Sequence, residues 1–359
     1  MKILQRYVLR ELAFPCAICI LTLNFIFMAG YLVKAAHFII GRGVPMLETF
    51  GVIALALPEM VSYTVPTSIL TAVLIVFGGL SQNNEIRAIK ASGINPMLVI
   101  VPALGAGLVM SFLMFVFNDQ VTTRAGFELR RTTKKLLLQH PAALVEAGRF
   151  VKLSDTIVFL AKQVEGNRLR DIVAYETSDS EKPVRTIIAE RGEMVSLPGE
   201  PAMQIKLYDG SVSDSQGSSV QAIQFKTYEF PTFGQEDLRQ MKKKMRDLSL
   251  AELLIRASRE KAPEERREIW SAFHHRIAFA FGCFIFVFLG IPVAMLVQRG
   301  EIVLSFAISM GAASLYYILF VGAKTVAVEG YLPAVIAYWF PNLALLGAGT
   351  KLLRRSIAL

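Results

Sequence analysis

Few residues of this chain are spaced for catalysis. Cys16 and Cys19 form a C-x-x-C pair, which is a spacing used by metal and disulfide sites. They fall inside an apolar run, where residues i and i+3 of a helix share a face, so we expect them to pack rather than to bind a metal. The adjacent His274 and His275 precede another apolar run, and an interfacial role is expected for them.

The cations are better placed to do chemistry, because two sets of them could bind an anion. Lys34 lies near the end of the first apolar run, and a basic segment follows the third: Arg124, Arg130, Arg131, Lys134 and Lys135. Lys34 would be explained as a lysine that snorkels to the membrane interface. The basic segment would be explained by its place beside a long translocated domain, where charge has little effect on topology. Alternatively, Lys34 would face a cavity that holds an anionic substrate, and the basic segment would contact lipid phosphates. Both interpretations stay open at this point.

Several enzyme classes are excluded by missing motifs. The chain has no G-x-x-x-x-G-K-[ST], so it is not a P-loop ATPase, and it has no G-x-S-x-G or H-E-x-x-H. No cysteine–histidine cluster has zinc spacing, so neither a metal nor another cofactor is expected. The net charge of +9 is explained by loops and by the basic flank, and it does not indicate nucleic acid binding.

The elements that carry these residues belong to a membrane protein. Hydrophobic residues make up 53% of the chain and charged residues only 19%, and apolar runs long enough to cross a bilayer as helices recur at both ends. Six spans are predicted, over residues 12–34, 51–80, 97–118, 277–297, 302–323 and 331–350. The fold class is therefore a polytopic α-helical membrane protein with a large insertion.

Basic residues in the short loops predict the orientation of the six helices. One side carries nine of them: Lys2, Arg6, Arg10, Arg87, Lys90, Arg299, Lys351, Arg354 and Arg355. The other side carries two, Arg42 and Lys324. Both termini are therefore predicted to be cytoplasmic, and the insertion 119–275 lies outside the cytoplasm.

The insertion contains a strand pattern. From about 148 to 230 the residues alternate with period two, and turn residues recur every 8–12 positions. Among the turn signals are RG at 191–192 and DG at 209–210. Eight short strands without helices predict an all-β antiparallel sandwich or jelly roll. Residues 124–140 form a helical, basic flank before it.

Five segments together resemble one family. They are RYVLRE at 6–11, LPEM at 57–60, NNEIRAIKASGI at 83–94, FHHRIAFAFGCFIFVFLGIPVAM at 273–295 and GYLPAVIAYWFPNL at 330–343. In order and spacing they are similar to the lipopolysaccharide export permeases, the LptF/LptG family, and RYVLRE and PEM are closer to the LptF branch. The resemblance implies an ABC-type exporter in the bacterial inner membrane with a periplasmic jelly-roll-like domain.

The resemblance also explains the short polar segment SQNNEIRAIKASGINP at 81–96. Such permeases bind a separate ATPase, so a coupling helix at about 82–95 would lie in a groove of LptB, which would bind the ATP. The residues implied for coupling are Glu85, Arg87, Lys90, Ser92 and Gly93. Those implied for lipopolysaccharide are Lys34, Arg130, Arg131, Lys134 and Lys324, although Thr122-Thr123 replaces a proline that many members have. The implied partners are the LptB dimer, a paired permease (LptG if this chain is LptF), LptC and periplasmic LptA.

The predicted organisation has three parts. Residues 1–118 form an N-terminal membrane half, 119–275 a periplasmic domain with helical flanks, and 276–359 a C-terminal membrane half. Two alternatives remain, a membrane-bound envelope enzyme and a scaffold with a periplasmic binding domain. An enzyme would be expected to have clustered acids or a nucleophile–histidine pair in 119–275. Between residues 119 and 273 the sequence has one histidine, His140. Co-purification of an ATPase would separate the three.

Overall fold

The computed structural model describes residues 2–42, 45–140, 145, 147–152, 157–177, 183–196, 202–214, 221–230, 241–297 and 301–358. The described chain forms two compact units. The first contains Met1–Ala29, Ala56–Phe127 and Lys243–Leu359, and the second contains Gly30–Leu55 and Glu128–Lys242.

Long helices dominate the first unit, in keeping with the apolar runs. The helices of the described chain, of which most of α5 and parts of α1 and α2 fall in the second unit, are α1 (Lys2–Arg42), α2 (Met46–Gln82), α3 (Glu85–Ala91), α4 (Met97–Phe117), α5 (Thr123–Gln139), α6 (Leu250–Arg259), α7 (Pro263–Val297), α8 (Ile302–Val328) and α9 (Ala334–Ala358). A π-helical turn, Asn118–Thr122, joins α4 to α5. Each of the six predicted spans falls on one of the long helices.

Five helical segments of the described chain are long and apolar enough to cross a membrane: Ile3–Val33, Met46–Gln82, Met97–Gln139, Pro263–Val297 and Ile302–Val328. The sixth predicted span forms the 25-residue helix α9, which carries Pro341 and a buried Asn342 within it. The fold class is confirmed, since a helical membrane protein carries an inserted antiparallel sheet.

Hydrogen bonds between buried polar side chains connect the helices of the first unit. The Thr71 and Ser309 hydroxyls lie 2.6 Å apart and join α2 to α8. The Tyr316 hydroxyl donates to Asn342 Oδ1 at 2.9 Å, and Asn342 Nδ2 donates to the Ala278 carbonyl at 2.9 Å, which joins α8, α9 and α7. In a bilayer, lipid is as apolar as leucine, so such bonds and close packing select the helix partners.

The second unit contains a six-stranded antiparallel sheet whose order follows the sequence. The strands are β1 (Phe150–Lys152), β2 (Ile157–Glu165), β3 (Arg168–Thr177), β4 (Pro183–Ser196), β5 (Met203–Asp214) and β6 (Gln221–Glu229). The prediction of eight strands was wrong for the described residues. The dipeptides at 191–192 and 209–210 lie inside β4 and β5 and do not end them.

Next to these dipeptides lies a row at which the in–out alternation of five strands shifts by one residue while their pairing register stays the same. We call it the slip row: Lys162, Asp171, Glu190, Asp209 and Lys226. Residue pairs form on both sides of the row, but no two neighbouring members of the row pair. Asp171 and Asp209 have left-handed backbone angles, with φ of 49° and 53°. Because the pairing register is the same on both sides of the row, no strand carries an extra residue relative to its neighbour there.

The slip row keeps one face of the sheet apolar along its whole length. In a regular strand every second side chain points to the same face. At the slip row, each of the strands β2 to β6 has two consecutive residues that point outward, so the alternation continues one residue later on the same face. In β3, for example, Leu169 and Ile172 are both buried although they are three residues apart. Gly192 pairs with Leu169, yet a Cβ on it would lie 2.5 Å from Ile172 Cδ1. Side chains from both sides of the row therefore share one apolar interior.

Candidate functional site

The segment expected to couple to an ATPase forms a short helix, α3, at one end of the helical unit. Asn84 precedes it in a left-handed conformation with φ of 57°, which turns the chain sharply after α2. Ile86 is buried in the same cluster as Val8 of α1 and Leu80 of α2, whereas Arg87 on the next position is exposed. One side of α3 is thus fixed to the bundle, and the other presents polar atoms.

The side chains of α3 have defined partners. The Tyr7 hydroxyl of α1 donates to Glu85 Oε2 at 3.5 Å, and Arg87 Nη1 donates to Asn84 Oδ1 at 3.2 Å. Lys90, in the last turn, is half-buried. At the end of the helix, Ser92 Oγ donates to the Ala88 carbonyl at 2.9 Å. Gly93 follows with φ of 75°, a left-handed conformation that glycine adopts without strain.

The cations expected to bind lipopolysaccharide are on three different helices. On α5, Arg130 and Lys134 are four residues apart on one face and are half-buried, whereas Arg131 is exposed and lies 3.8 Å from Glu128. Lys324 is exposed near the end of α8. Lys34 is in α1, but its side chain lies outside the described residues. The structure thus brings Arg130 and Lys134 together, while Lys324 belongs to the other compact unit.

The sequence did not predict an ion pair that connects the π-helical turn after α4 with α7. Asp119, in the π-helical turn, accepts from Arg276 Nη1 at 2.6 Å and from the Leu250 amide at 2.7 Å. Arg276 Nη2 donates to the Leu248 carbonyl at 2.7 Å. The pair therefore joins the end of α4, the start of α6 and the body of α7. An acid just after one span and an arginine just before another were the available signal, but 157 residues separate them.

Helix α6, which precedes α7, has a defined N-terminal cap. Ser249 Oγ accepts from the Glu252 amide, and Glu252 Oε2 accepts from the Ser249 amide at 2.7 Å, which is a capping box. Lys243 Nζ lies 2.7 Å from Glu252 Oε1. The Lys243 ammonium and the Ser249 amide, both donating to the carboxylate, hold the pKa of Glu252 below its usual range.

The sheet of the second unit has one apolar, buried side. Its buried side is lined by residues of four strands, among them Phe159, Ile172, Ile187 and Ile205. Every buried polar side chain of the described chain lies outside the strands. The charged members of the slip row are on the exposed side. Such an interior suits hydrocarbon and gives no polar group for acid–base chemistry.

Two comparisons with known proteins bear on these sites. The family model "Lipopolysaccharide export system permease LptF/LptG" matches residues 6–355. The chain is also similar to "Uncharacterized protein RP871" of Rickettsia prowazekii (strain Madrid E), with 20% identity over 185 residues. That alignment covers 51% of this chain and 51% of the relative, so it spans about half of each.

Proposed function

This chain belongs to the LptF/LptG family of lipopolysaccharide export permeases, and from that premise we propose that it is the LptF-type subunit of an ABC-type exporter. The family is one of transport permeases, and the apolar helices make the chain a multi-pass inner membrane protein. In the proposal it extracts lipopolysaccharide from the membrane and passes it to a periplasmic bridge. The observation that carries the proposal is α3, a short helix fixed on one side and polar on the other.

In the proposal α3 receives the movement of the LptB ATPase. Ile86 fixes α3 to α1 and α2, so a force applied to α3 would reach both spans. Glu85, Arg87 and Lys90 supply the polar contacts, and Ser92 and Gly93 end the helix so that the chain can turn into α4. The bond between Tyr7 and Glu85 adds a direct connection to the start of α1. ATP itself would be bound and hydrolysed by LptB, and this chain needs no cofactor.

A paired permease, LptG in this proposal, would cover the spans that have little protein around them. In the most apolar stretch of α1 only 6% of the residues are buried, and in that of α8 22%, compared with 83% in α2. A lateral cavity between two such permeases would hold the acyl chains. Its rim cations, Lys34, Arg130, Arg131, Lys134 and Lys324, would bind the phosphates, because charge-assisted contacts are strong where water is scarce.

The apolar interior of the sheet would carry the acyl chains onward to LptC and then to LptA. The slip row supports this role, because it keeps the same face apolar over strands of up to 14 residues. The nine-to-two distribution of basic residues supports cytoplasmic termini and a periplasmic sheet. The proposal divides the chain into membrane halves at 1–118 and 276–359 around the periplasmic part at 119–275.

Charge reversal in α3 tests the coupling. Glu85→Lys should reduce co-purification of the ATPase about tenfold or more, because a reversed charge at an interface typically costs a few kcal/mol. Glu329→Lys makes the same change at the exposed end of α8 and should leave it unaffected. Tyr7→Phe removes only the internal partner of Glu85. If Glu85→Lys retains full ATPase binding and transport, or if Tyr7→Phe reproduces its defect, Glu85 is not an ATPase contact.

Photocrosslinking tests the lipid contacts. A photoreactive residue at position 34 should capture lipopolysaccharide in an active complex, and Lys34→Ala should reduce transport without reducing protein level. Lys34→Arg should be milder, since the charge is kept while the headgroup geometry changes. Lys351→Ala, at the other end of the bundle, is the control. Absence of lipopolysaccharide crosslinks in an active complex would leave Lys34 as a snorkelling lysine.

Thiol labelling tests the orientation. Single cysteines at Asn84 and Ser213 should react with membrane-impermeant reagents from opposite sides of the membrane. Labelling of both from one side would contradict the proposed topology.

A further inference from the structure

A cationic cleft lies at the start of α7, away from the residues proposed above to bind the ATPase or lipopolysaccharide. Its volume is about 620 Å³. One wall comes from the first turns of α7 and the residue before them, with Lys261, Arg266, Arg267, Trp270 and His274. The other comes from the connection between α8 and α9, residues 330–335. None of the cations proposed above to bind lipopolysaccharide lines it.

The helix geometry of α7 points these side chains into one cleft. Arg266 and Arg267 precede Trp270 by four and three residues, and His274 follows it by four, so all four share a face. The Trp270 and His274 rings stack with centroids 5.8 Å apart and an interplanar angle of 24°. This stack forms a flat aromatic floor beside the two guanidinium groups.

Gly330 makes room for one of the guanidinium groups. Its φ is +85°, which side chains rarely adopt. A Cβ built there would lie 2.5 Å from Arg267 Nη1 and 2.7 Å from Arg267 Cζ. The guanidinium plane therefore rests directly on the backbone of the α8–α9 connection, and no larger residue could stand at 330 without displacing it.

The cations of the cleft have no anion within the described chain. Lys261, Arg266 and Arg267 form no ion pair with any residue that the structure describes. Of the nearest acids in sequence, Glu260 accepts from the backbone amides of Lys261 and Ala262, and Glu265 pairs with Arg256 at 3.5 Å. Glu260, Glu264 and Glu268 do not line the cleft. Three exposed cations that converge without a carboxylate fit an external anion, and two guanidinium groups suit the geometry of a phosphate.

The opposite wall is apolar where it meets the spans. Leu332 and Val335 line the cleft and are 45% and 50% exposed. Ile336, in the first turn of α9, is 54% exposed beside them. Tryptophan at such a position is typical of the membrane–water interface. A ligand that fills the cleft would thus have an anionic group against the arginines and hydrocarbon against the α8–α9 connection.

We propose that this cleft binds the phosphorylated headgroup of a membrane lipid. The phosphate lies between Arg266 and Arg267, Lys261 adds a third positive charge, and the first carbons of the lipid rest on Leu332 and Val335. The same chemistry occurs in an anionic phospholipid of the bilayer and in lipopolysaccharide. The proposal does not depend on the transport function, because it needs only that the start of α7 meets the membrane surface.

The test compares two double variants of the full-length chain, purified with the subunits that accompany it. Arg266→Gln/Arg267→Gln removes two charges from the cleft, and Arg354→Gln/Arg355→Gln removes two exposed charges from α9. After delipidation, phosphatidylglycerol binding is measured by native mass spectrometry and by titration in micelles. The cleft variant should bind the lipid at least tenfold more weakly, while the control should change less than twofold. Equal losses in both variants, or no loss in either, would overturn the proposal.

A second variant separates position from charge. Gly330→Ala keeps every cation but places a methyl group where the Arg267 guanidinium lies, so it should also weaken phosphatidylglycerol binding several-fold. Its melting temperature reports whether the fold is intact. A folded Gly330→Ala protein with unchanged affinity would contradict the proposed position of the phosphate.

Competition identifies the source of the lipid. If lipopolysaccharide displaces phosphatidylglycerol at concentrations at least tenfold lower, the cleft belongs to the transported lipid. If it does not displace it, the cleft binds bilayer phospholipid. Displacement by millimolar inorganic phosphate as complete as that by either lipid would show a simple anion site and would overturn the lipid assignment.

Discussion

The interiors of the helical unit and of the sheet are both mainly apolar, but among the described residues only the helical unit buries polar groups between its elements. Inside the helical unit, hydroxyl, amide and guanidinium groups connect the helices, as at Thr71–Ser309 and Asp119–Arg276. Inside the sheet, the described buried side chains are hydrocarbon or methionine. The exposed surfaces are reversed, because most of the large exposed apolar residues belong to helices. Lipid is as apolar as a helix surface, so in a membrane apolar burial does not favour one helix partner over another, and polar contacts select the packing. In water, burial of apolar side chains is itself enough to hold the sheet and the segments that cover it together.

The largest effect should come from breaking the buried ion pair, the strongest polar contact of the helical unit. Asp119→Asn or Arg276→Ala leaves one charge without its partner and should destabilise the unit by about 3–5 kcal/mol. Thermal unfolding of the purified protein measures this. A double variant, Asp119→Leu/Arg276→Met, should recover part of the loss, because it leaves no unpaired charge. Equal stability of single variants and wild type would show that the pair is not needed.

Overfilling the apolar interior of the sheet should have the next largest effect. In Gly192→Val the new side chain would meet Ile172 Cδ1, Leu207 Cδ2 and the Lys206 carbonyl, the last at 3.2 Å from a Cβ. Such overpacking costs about 1–3 kcal/mol. Gly166→Asn, in a turn with open space and a left-handed φ that asparagine tolerates, is the control. A loss no larger at 192 than at 166 would show that the interior is loosely packed.

Removing one hydrogen bond between spans should cost less. Thr71→Val and Ser309→Ala each delete a partner of a 2.6 Å contact, and a coupling of roughly 1 kcal/mol is expected in a double-mutant cycle. Thr325→Val, whose hydroxyl bonds only to the Val321 carbonyl of its own helix at 3.5 Å, is the matched control. A zero coupling would mean that shape rather than polarity aligns α2 with α8.

The smallest effect is expected for a polar contact that faces water. The pKa of Glu252 is lowered by Lys243 and by the Ser249 amide, so its contribution to stability is present above the ordinary glutamate pKa and is lost as the pH falls through the lowered value. Glu252→Gln should therefore reduce the melting temperature slightly at pH 7, and the reduction should disappear once the pH has fallen below the lowered pKa of Glu252. A reduction that persists in acid would assign the effect to packing.

The two units also differ in how well the sequence predicts their secondary structure. Runs of apolar residues located the spans, and the polar segment at 81–96 located α3. The helix Glu85–Ala91 is shorter than the predicted 82–95, because α2 continues to Gln82, Asn84 is left-handed and Gly93 follows with a positive φ. The sheet was located by its alternation. The dipeptides at 191–192 and 209–210 were read as turns, because two consecutive polar residues with glycine or aspartate are the local signal of a turn.

Taken alone, the sequence located the apolar spans and the strand-rich insertion and indicated the family, whereas the coupling and lipid-binding residues that it suggested stay predictions. Tertiary structure alone decided that Asp119 meets Arg276, that five residues from five strands form one slip row, and that Arg267 rests on Gly330. The physical reason is the distance along the chain over which each signal acts. Periodicity and helix ends are set by residues within a few positions of each other, whereas a row shared by five strands and a cleft between helices exist only after distant segments have packed together.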